Sequence, residues 1–197
     1  DAALSRLGKD ATKEQLLALR EEMGLTDPLP ERYVRWLKGA VQGDFGESYR
    51  YEGITVQSLL EEPLFVTVLL SGIALLMILV FSIPLGIASA RFSGKWLDVV
   101  TNQISQIIMA VPPFFLGMIL TYVFGLTLHL FQPGKFISPR ESFWKSVEYL
   151  IFPAVAIALP KIAMVVKFLR NSVLAQLSQD YVRTAFSKGN TSSGVLY

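Results

Sequence analysis

The feature that most constrains this chain is a stretch without charge that runs from Pro63 to Ala90. About 20 consecutive apolar residues are enough to cross the hydrocarbon core of a bilayer as an α-helix. The stretch is longer than that, so it predicts one transmembrane helix with room for tilt. The composition agrees, because 52% of the residues are hydrophobic and only 17% are charged. Soluble domains carry about 25% charged residues, so the composition indicates a membrane protein.

Two further apolar stretches predict two more crossings. Residues 99–134 again carry no formal charge, and residues 148–172 are mostly apolar. We expect the three crossings at about 63–90, 99–131 and 148–172, within a transmembrane region that covers residues 63–178. Because a bilayer offers the backbone no hydrogen-bond partners, a helix is the natural form for each crossing. The predicted fold class is therefore an all-α membrane protein, a polytopic helical bundle with three transmembrane helices in this chain.

The segments on either side of this region are polar. Residues 1–62 have the patterns of short helices, one with Thr12 as its N-cap and one with Pro30 in its first turn. Positive charge near the membrane ends favours a cytoplasmic location for residues 179–197 and an extracytoplasmic one for residues 1–62. The basic residues on the predicted inner side are Arg91, Lys95, Lys161, Lys167, Arg170, Arg183 and Lys188, against Arg50, Lys135, Arg140 and Lys145 outside. The chain begins without methionine, and we expect it to be a piece of a longer protein.

Several kinds of chemistry are excluded by residues that the sequence lacks. There is no cysteine, so disulfides and thiolate metal sites are excluded, and His129 is the only histidine. No G-x-x-x-x-G-K-[ST] stretch occurs, so the chain cannot hold a nucleotide phosphate by that route. An intramembrane hydrolase would need a nucleophile and a base at membrane depth, and His129 has no acidic residue near it in the sequence. We predict no catalytic residue, no metal site, no cofactor in this chain and no nucleic-acid partner.

The predicted crossings contain three candidates for the wall of a translocation path, namely Pro112, Phe114 and Lys161. Prolines inside a crossing remove backbone donors, so the break at Pro112 indicates either a substrate path or an ordinary packing kink. Lys161 lies roughly 18 Å into the third crossing at 1.5 Å per residue. An ammonium at that depth lines a path, contacts a partner or extends toward the interface, and the sequence leaves these open. Lys167 and Arg170 match the inner interface and are expected to have no further role.

The stretch "DYVRTAFSKG", residues 180–189, predicts a short amphipathic helix. Its apolar residues share one face, and Gly189 is a natural stop that we expect in the left-handed conformation. The residues that follow are too few and too polar to bury that face. The face therefore indicates a partner protein or the membrane surface. The apolar residues are Tyr181, Val182, Ala185 and Phe186.

Three segments together resemble a known family. They are "GLTDPLPERYVRWLKGAVQGDFGES" (residues 24–48), "AVPPFFLG" (110–117) and "KFLRNSVLAQLSQDYVRTAFSKG" (167–189). In order along the chain, they are similar to the permease subunit of bacterial ABC importers for dipeptides, oligopeptides and nickel, of the type I importer architecture. Departures from the commonest residues fall at Phe186, Ser187 and Asn190. The chain also lacks the family's first transmembrane helix and its last ones. The four defining positions of the family's EAA-type loop are occupied here by Arg183, Thr184, Ala185 and Gly189.

The resemblance implies a role and a set of partners. The chain would be a non-catalytic permease subunit in the bacterial cytoplasmic membrane, forming the path for a peptide, a nickel chelate or a sugar. Its partners would be a second permease, two cytoplasmic ATPase subunits that bind ATP and Mg, an extracytoplasmic solute-binding protein and the bilayer. A channel or secondary transporter without an ATPase is the alternative. The implied ATPase-coupling residues are Tyr181, Val182, Arg183, Thr184, Ala185, Phe186 and Gly189.

Overall fold

The computed structural model describes residues 2–8, 11–51, 53–191 and 194–195. Over these residues the regular structure is helical, apart from one isolated antiparallel bridge between Glu47 and Thr55. The all-α prediction is therefore confirmed. The chain divides into two compact units, Asp1–Phe65 and Val66–Tyr197.

The described residues of the first unit form three short helices and the start of a fourth. These are α1 (Ala2–Leu7), α2 (Lys13–Glu22) and α3 (Leu29–Val41), followed by the first turns of α4 (Val56–Arg91). Thr12 caps α2 as predicted: its hydroxyl oxygen accepts from the Gln15 backbone N–H at 3.3 Å, and the Gln15 side chain accepts from the Thr12 N–H at 3.1 Å. This reciprocal pair satisfies two of the unpaired donors at the helix start.

The second unit is built on two long apolar helices, α4 and α7 (Phe143–Leu177), and each is long and apolar enough to cross a membrane. They run in the same direction. Ala74 of α4 lies in one buried cluster with Ala154 and Ala158 of α7. Twelve residues further along α4, a Cβ placed on Gly86 would lie 2.9 Å from the Cδ2 atom of Leu169. Small side chains thus let the two helices approach closely at both levels.

The predicted second crossing is not one continuous helix. It consists of α5 (Trp96–Ala110), α6 (Pro113–Leu120) and a π-helical segment, Thr121–Thr127, with a bend of 97° between the two halves. Val111 and Pro112 are extended, with ψ of 124° and 142°. Each of them precedes a proline, and the proline ring disfavours the α conformation of the residue before it. The two adjacent prolines therefore explain why the helix stops at Ala110.

Contacts with α7 show which levels of the bundle the two ends of this broken segment reach. Asp98 of α5 forms an ion pair with Arg170 near one end of α7, and Phe124 and Phe131 pack against Phe152 near the other end. From Arg170 to Tyr149, which contacts Phe131, α7 rises roughly 31 Å at 1.5 Å per residue. This matches the hydrocarbon thickness of about 30 Å. The segment therefore passes from one end of the bundle to the other, as a broken span and not as a re-entrant loop.

Candidate functional site

The predicted amphipathic helix forms where the sequence places it. Helix α8 is Asp180–Ser187, and it is separated from α7 by a turn at Ser178 and Gln179. The acidic side chain of Asp180 lies in its first turn, where it favours the positive end of the helix dipole. Two contacts connect the turn region to the end of α7. The Ser178 hydroxyl donates to the Ala175 carbonyl at 2.8 Å, and the Tyr181 hydroxyl donates to Gln176 Oε1 at 2.8 Å.

Gly189 ends α8 in the predicted left-handed conformation, with φ of 86°. Its N–H donates to the Phe186 carbonyl at 2.9 Å, and the Asn190 N–H donates to the Ala185 carbonyl at 3.3 Å. This pair of bonds is a Schellman motif, which satisfies two carbonyls at the end of the helix. A Cβ on Gly189 would meet nothing within 4 Å. Glycine is therefore favoured here by the backbone conformation and not by lack of space.

One part of the apolar face of α8 is buried against this chain, and the other part is exposed. Val182 is only 3% exposed, and it lines a small cleft with Val173 and Leu177 of α7 and with Val195. The expectation that the residues after α8 leave the apolar face unburied is wrong for Val182, whose cleft is lined by Val195 as well as by the end of α7. Tyr181 is 61% exposed and Phe186 is 44% exposed. Val182 thus anchors α8 to its own chain, and the two aromatic residues are the part of the face that a partner could contact.

The polar residues of α8 are free to contact a partner. Arg183 Nη1 lies 3.7 Å from Asp180 Oδ1, and both side chains are almost fully exposed. Such a pair adds little to stability because water screens it. The Thr184 hydroxyl donates to the Asp180 carbonyl of its own helix at 3.1 Å. Of the predicted coupling residues, the structure places all but Val182 at least partly on the surface of α8 and its cap.

A cleft of about 490 Å³ lies between α4, α5 and α7 in the second unit. Its lining is almost entirely apolar, with Thr101 and Ser105 as its polar members. The three candidate path residues do not line it. Phe114 is 72% exposed, and Pro112 and Lys161 are also exposed. These three residues lie on the outer surface of this chain, and in the part that the structure describes no acidic side chain forms an ion pair with Lys161.

A buried charged cluster that the sequence patterns do not predict lies at the end of the bundle nearest α8. Asp98 is 3% exposed. Its Oδ1 accepts from Arg170 Nε at 2.5 Å, and its Oδ2 accepts from Arg170 Nη2 at 2.6 Å. Three more donors complete its coordination: the Ser89 hydroxyl at 2.7 Å, the Gly94 N–H at 2.9 Å and Asn102 Nδ2 at 2.8 Å. We call these five residues the Asp98 cluster.

The Asp98 cluster corrects the expectation that Arg170 only matches the membrane interface. Its guanidinium forms a two-bonded pair with a carboxylate, an arrangement that is stronger and more directional than a single bond. Two signals in the sequence point to it. Arg170 is a charged residue near the inner end of the third apolar stretch, and Asp98 is the acidic residue at the edge of a charge-free stretch. A charge in either place needs a partner. The pairing itself, across 72 positions, is visible only in the structure.

Among the described residues, no group of three or more acidic, histidine or cysteine side chains is placed to hold a metal ion. His129 is exposed, and its Nδ1 lies 3.1 Å from the Thr127 carbonyl oxygen.

The chain is similar to a family of transport proteins and to several individual members of it. The family described as "binding-protein-dependent transport system inner membrane component" matches residues 82–197. The probable peptide ABC transporter permease protein y4tP of Sinorhizobium fredii is 32% identical over 100% of this chain and 63% of its own length. The oligopeptide transport system permease protein AppB of Bacillus subtilis is 34% identical over 95% of this chain and 59% of its own length. A putative peptide permease protein of Brucella suis is 32% identical over 90% of this chain and 56% of its own length.

These comparisons confirm the resemblance that the three sequence segments indicated. The chain spans about three fifths of the length of the curated relatives it matches. The family match covers α5 to α8, and therefore the broken span, the Asp98 cluster and the amphipathic helix with its glycine cap. It extends over more than half of the chain, and the apolar helices are those of a multi-pass membrane protein. This chain belongs to the family of inner membrane components of binding-protein-dependent transport systems.

Proposed function

We propose that the chain is a permease subunit of an ATP-driven importer, and that α8 is the helix by which cytoplasmic ATPase subunits act on it. The observation that carries this proposal is the geometry of α8. The helix follows a turn at the end of a membrane helix, is closed by a glycine cap and leaves Tyr181 and Phe186 exposed. An amphipathic helix that presents aromatic side chains suits a groove on a partner protein.

The substrate that we propose is a peptide. The relatives in three genera are named as peptide or oligopeptide permeases, at 32–34% identity. The sequence resemblance alone left a nickel chelate and a sugar open, and the names of these relatives favour the peptide. The chain itself would be non-catalytic, with ATP and Mg bound by its ATPase partners.

The proposed assembly contains a second permease, two ATPase subunits and an extracytoplasmic solute-binding protein, in the bacterial cytoplasmic membrane. The charge distribution supports the orientation, with residues 1–62 outside and residues 179–197 inside.

Helix α3 supports a docking role for the outer segment, residues 1–62. Every residue of α3 is described and none is buried, although the helix carries Tyr33 and Trp36. Exposed aromatic side chains are enriched in protein interfaces. We infer that the solute-binding protein covers this helix.

The translocation path would be completed by the partner permease. In support, Pro112, Phe114 and Lys161 lie on the surface of this chain and away from its internal cleft. The prolines at 112 and 113 have no N–H to give to the carbonyls of the preceding turn, so those carbonyls can face a polar path. A lysine exposed to lipid at this depth would cost about 3 kcal/mol, which favours a position against the path or the partner.

Replacement of Lys161 is expected to change transport without removing the protein from the membrane. Lys161→Ala removes the ammonium but no contact that holds this chain together, because Lys161 is exposed. Uptake of a labelled peptide by membrane vesicles containing the complex measures the effect, with the amount of inserted permease determined in parallel. Uptake equal to that of the native complex over a range of peptide charges would contradict a path or partner role.

The test of the proposed function is whether ATPase subunits copurify with the tagged permease and whether uptake requires ATP. A channel or a secondary transporter would carry substrate without an ATPase. The variant Phe186→Asp should release the ATPase, because it replaces one of the two exposed aromatic side chains of the apolar face by a charge.

A further inference from the structure

The Asp98 cluster joins three separate parts of the second unit at one point. Asp98 and Asn102 belong to α5, Ser89 to the end of α4, and Arg170 to α7. Gly94 lies in the loop between α4 and α5, so the loop is held as well. In the described part of the chain, the hydrogen bonds that join α5 to α7 are those between Asp98 and Arg170. The carboxylate of Asp98 is therefore the polar connection between these two helices.

Arg170 also lies on the helix that carries α8. From Arg170, α7 continues without interruption to Leu177, and the turn that follows is bonded back to Ala175 and Gln176. Val182 packs α8 against this end of α7. We expect a displacement of α8 to move the end of α7, and Leu177 at that end lies about 10 Å along the helix from Arg170 at 1.5 Å per residue.

On the other side of the cluster, α5 leads to the break at Val111 and Pro112. Beyond its first turn, α5 continues along α7, and Ser105 is buried there. Thr101, Ile104 and Ile108 line the cleft of about 490 Å³ between α4, α5 and α7. One end of α5 is thus joined to α7 by a two-bonded ion pair, and the rest of the helix packs beside this cleft. A rotation applied at Asp98 would be carried along α5 to the 97° bend.

We propose that the Asp98–Arg170 pair is the joint that transmits a displacement of α8 to α5 and so to the broken span. Asp98 and Arg170 are positioning residues, because they act through the helices that they connect. The proposal rests on the proposed function, in which an ATPase docks on α8. It adds the route by which that docking reaches the membrane segment.

The alternative is that the pair only stabilises the fold. Variants that leave one charge at the site and variants that leave none distinguish this role from the transmission of movement. Loss of one partner leaves a buried charge unpaired, which destabilises any protein. Removal of both charges leaves none unpaired, and such replacements are often neutral for stability. In the double variant Asp98→Asn/Arg170→Met, the introduced amide oxygen can still accept from the Gly94 N–H, while the connection to α7 is lost. If the pair only stabilises the fold, this variant should work normally.

The experiment uses the complete complex, with both permeases, the ATPase subunits and the solute-binding protein, reconstituted in proteoliposomes. ATP hydrolysis and uptake of a labelled peptide are measured on the same preparation. The double variant is expected to assemble and to hydrolyse ATP, while the peptide taken up per ATP falls by about tenfold. The matched control is Lys167→Met, which removes a positive charge one turn earlier on α7 and should leave that ratio unchanged.

Two outcomes would overturn the joint. One is a double variant whose uptake per ATP equals that of the native complex. The other concerns a double variant that fails to assemble. In that case Arg170→Lys is measured, which keeps the charge but loses the two-bonded geometry, and an uptake per ATP equal to that of the native complex would overturn the joint. Failure of the proposed function is distinct, because the native chain would then neither retain an ATPase nor require ATP for uptake.

Discussion

Replacement of Gly189 by valine is expected to reduce transport strongly while the permease stays inserted in the membrane. Gly189 has φ of 86°, a conformation that is strained for a β-branched residue by about 1–3 kcal/mol. The variant can relieve this strain only by giving up the two bonds that close α8, from the Gly189 and Asn190 N–H groups. Since 1.4 kcal/mol is a factor of ten in an equilibrium, we expect at least about a tenfold loss of peptide uptake.

The control for Gly189→Val is Gly189→Asn. Asparagine adopts the left-handed conformation more readily than other residues with a side chain, and a Cβ at this position meets nothing within 4 Å. Gly189→Asn should therefore retain most of the uptake. The amount of copurified ATPase, measured on the same samples, distinguishes loss of assembly from loss of coupling. Full uptake by Gly189→Val with the ATPase bound would rule out a conformational requirement at the cap.

Replacement of Gly86 by leucine is expected to separate α4 from α7. A Cβ on Gly86 would lie 2.9 Å from Cδ2 and 3.0 Å from Cβ of Leu169. The second distance involves an atom fixed to the backbone, so α7 itself must shift and no rotamer change can relieve the contact. Overpacking of this kind costs about 1–3 kcal/mol. The expected result is a lower midpoint of thermal unfolding in detergent, measured by fluorescence-detected size exclusion after heating.

Gly72→Leu is the matched control, because it makes the same change in the same helix. A Cβ on Gly72 would meet nothing within 4 Å in this chain. Leucine is also a better helix former than glycine by about 1 kcal/mol, so the control should be as stable as the native chain or more so. An equal loss of thermal stability in both variants would show that the closeness of Gly86 to Leu169 is not what limits the packing.

The sequence predicted local features correctly because their causes are local. A charge-free stretch predicts a membrane helix through the cost of burying polar groups, and the Thr12 cap and the Gly189 terminator depend on a few neighbouring residues. The two prolines at 112 and 113 predicted a break. The size of the bend, 97°, depends on how α5 and α6 each pack on α7, so no local pattern could give it.

The features that the sequence did not reveal arise from contacts between distant segments. Asp98 and Arg170 are 72 positions apart, and their pairing follows from the parallel course of α4 and α7 and the start of α5 beside them. Val182 has the same spacing as the exposed residues of α8, but the turn at Ser178 brings it against the end of α7. Periodicity places a residue on a face of a helix, and tertiary packing decides which part of that face is covered.

Copurification of ATPase subunits with the tagged permease from native membranes tests the central claim most directly. The comparison is between the native chain, Phe186→Asp and Ser187→Asp, since the two variants add the same charge to adjacent positions on different faces of α8. Phe186 is an exposed aromatic anchor, and loss of such an anchor typically costs an interface about 2 kcal/mol or more, at least about a tenfold weakening. We predict that the native and Ser187→Asp complexes retain the ATPase and that Phe186→Asp does not. A native complex without ATPase, or equal retention by Phe186→Asp, would contradict the account.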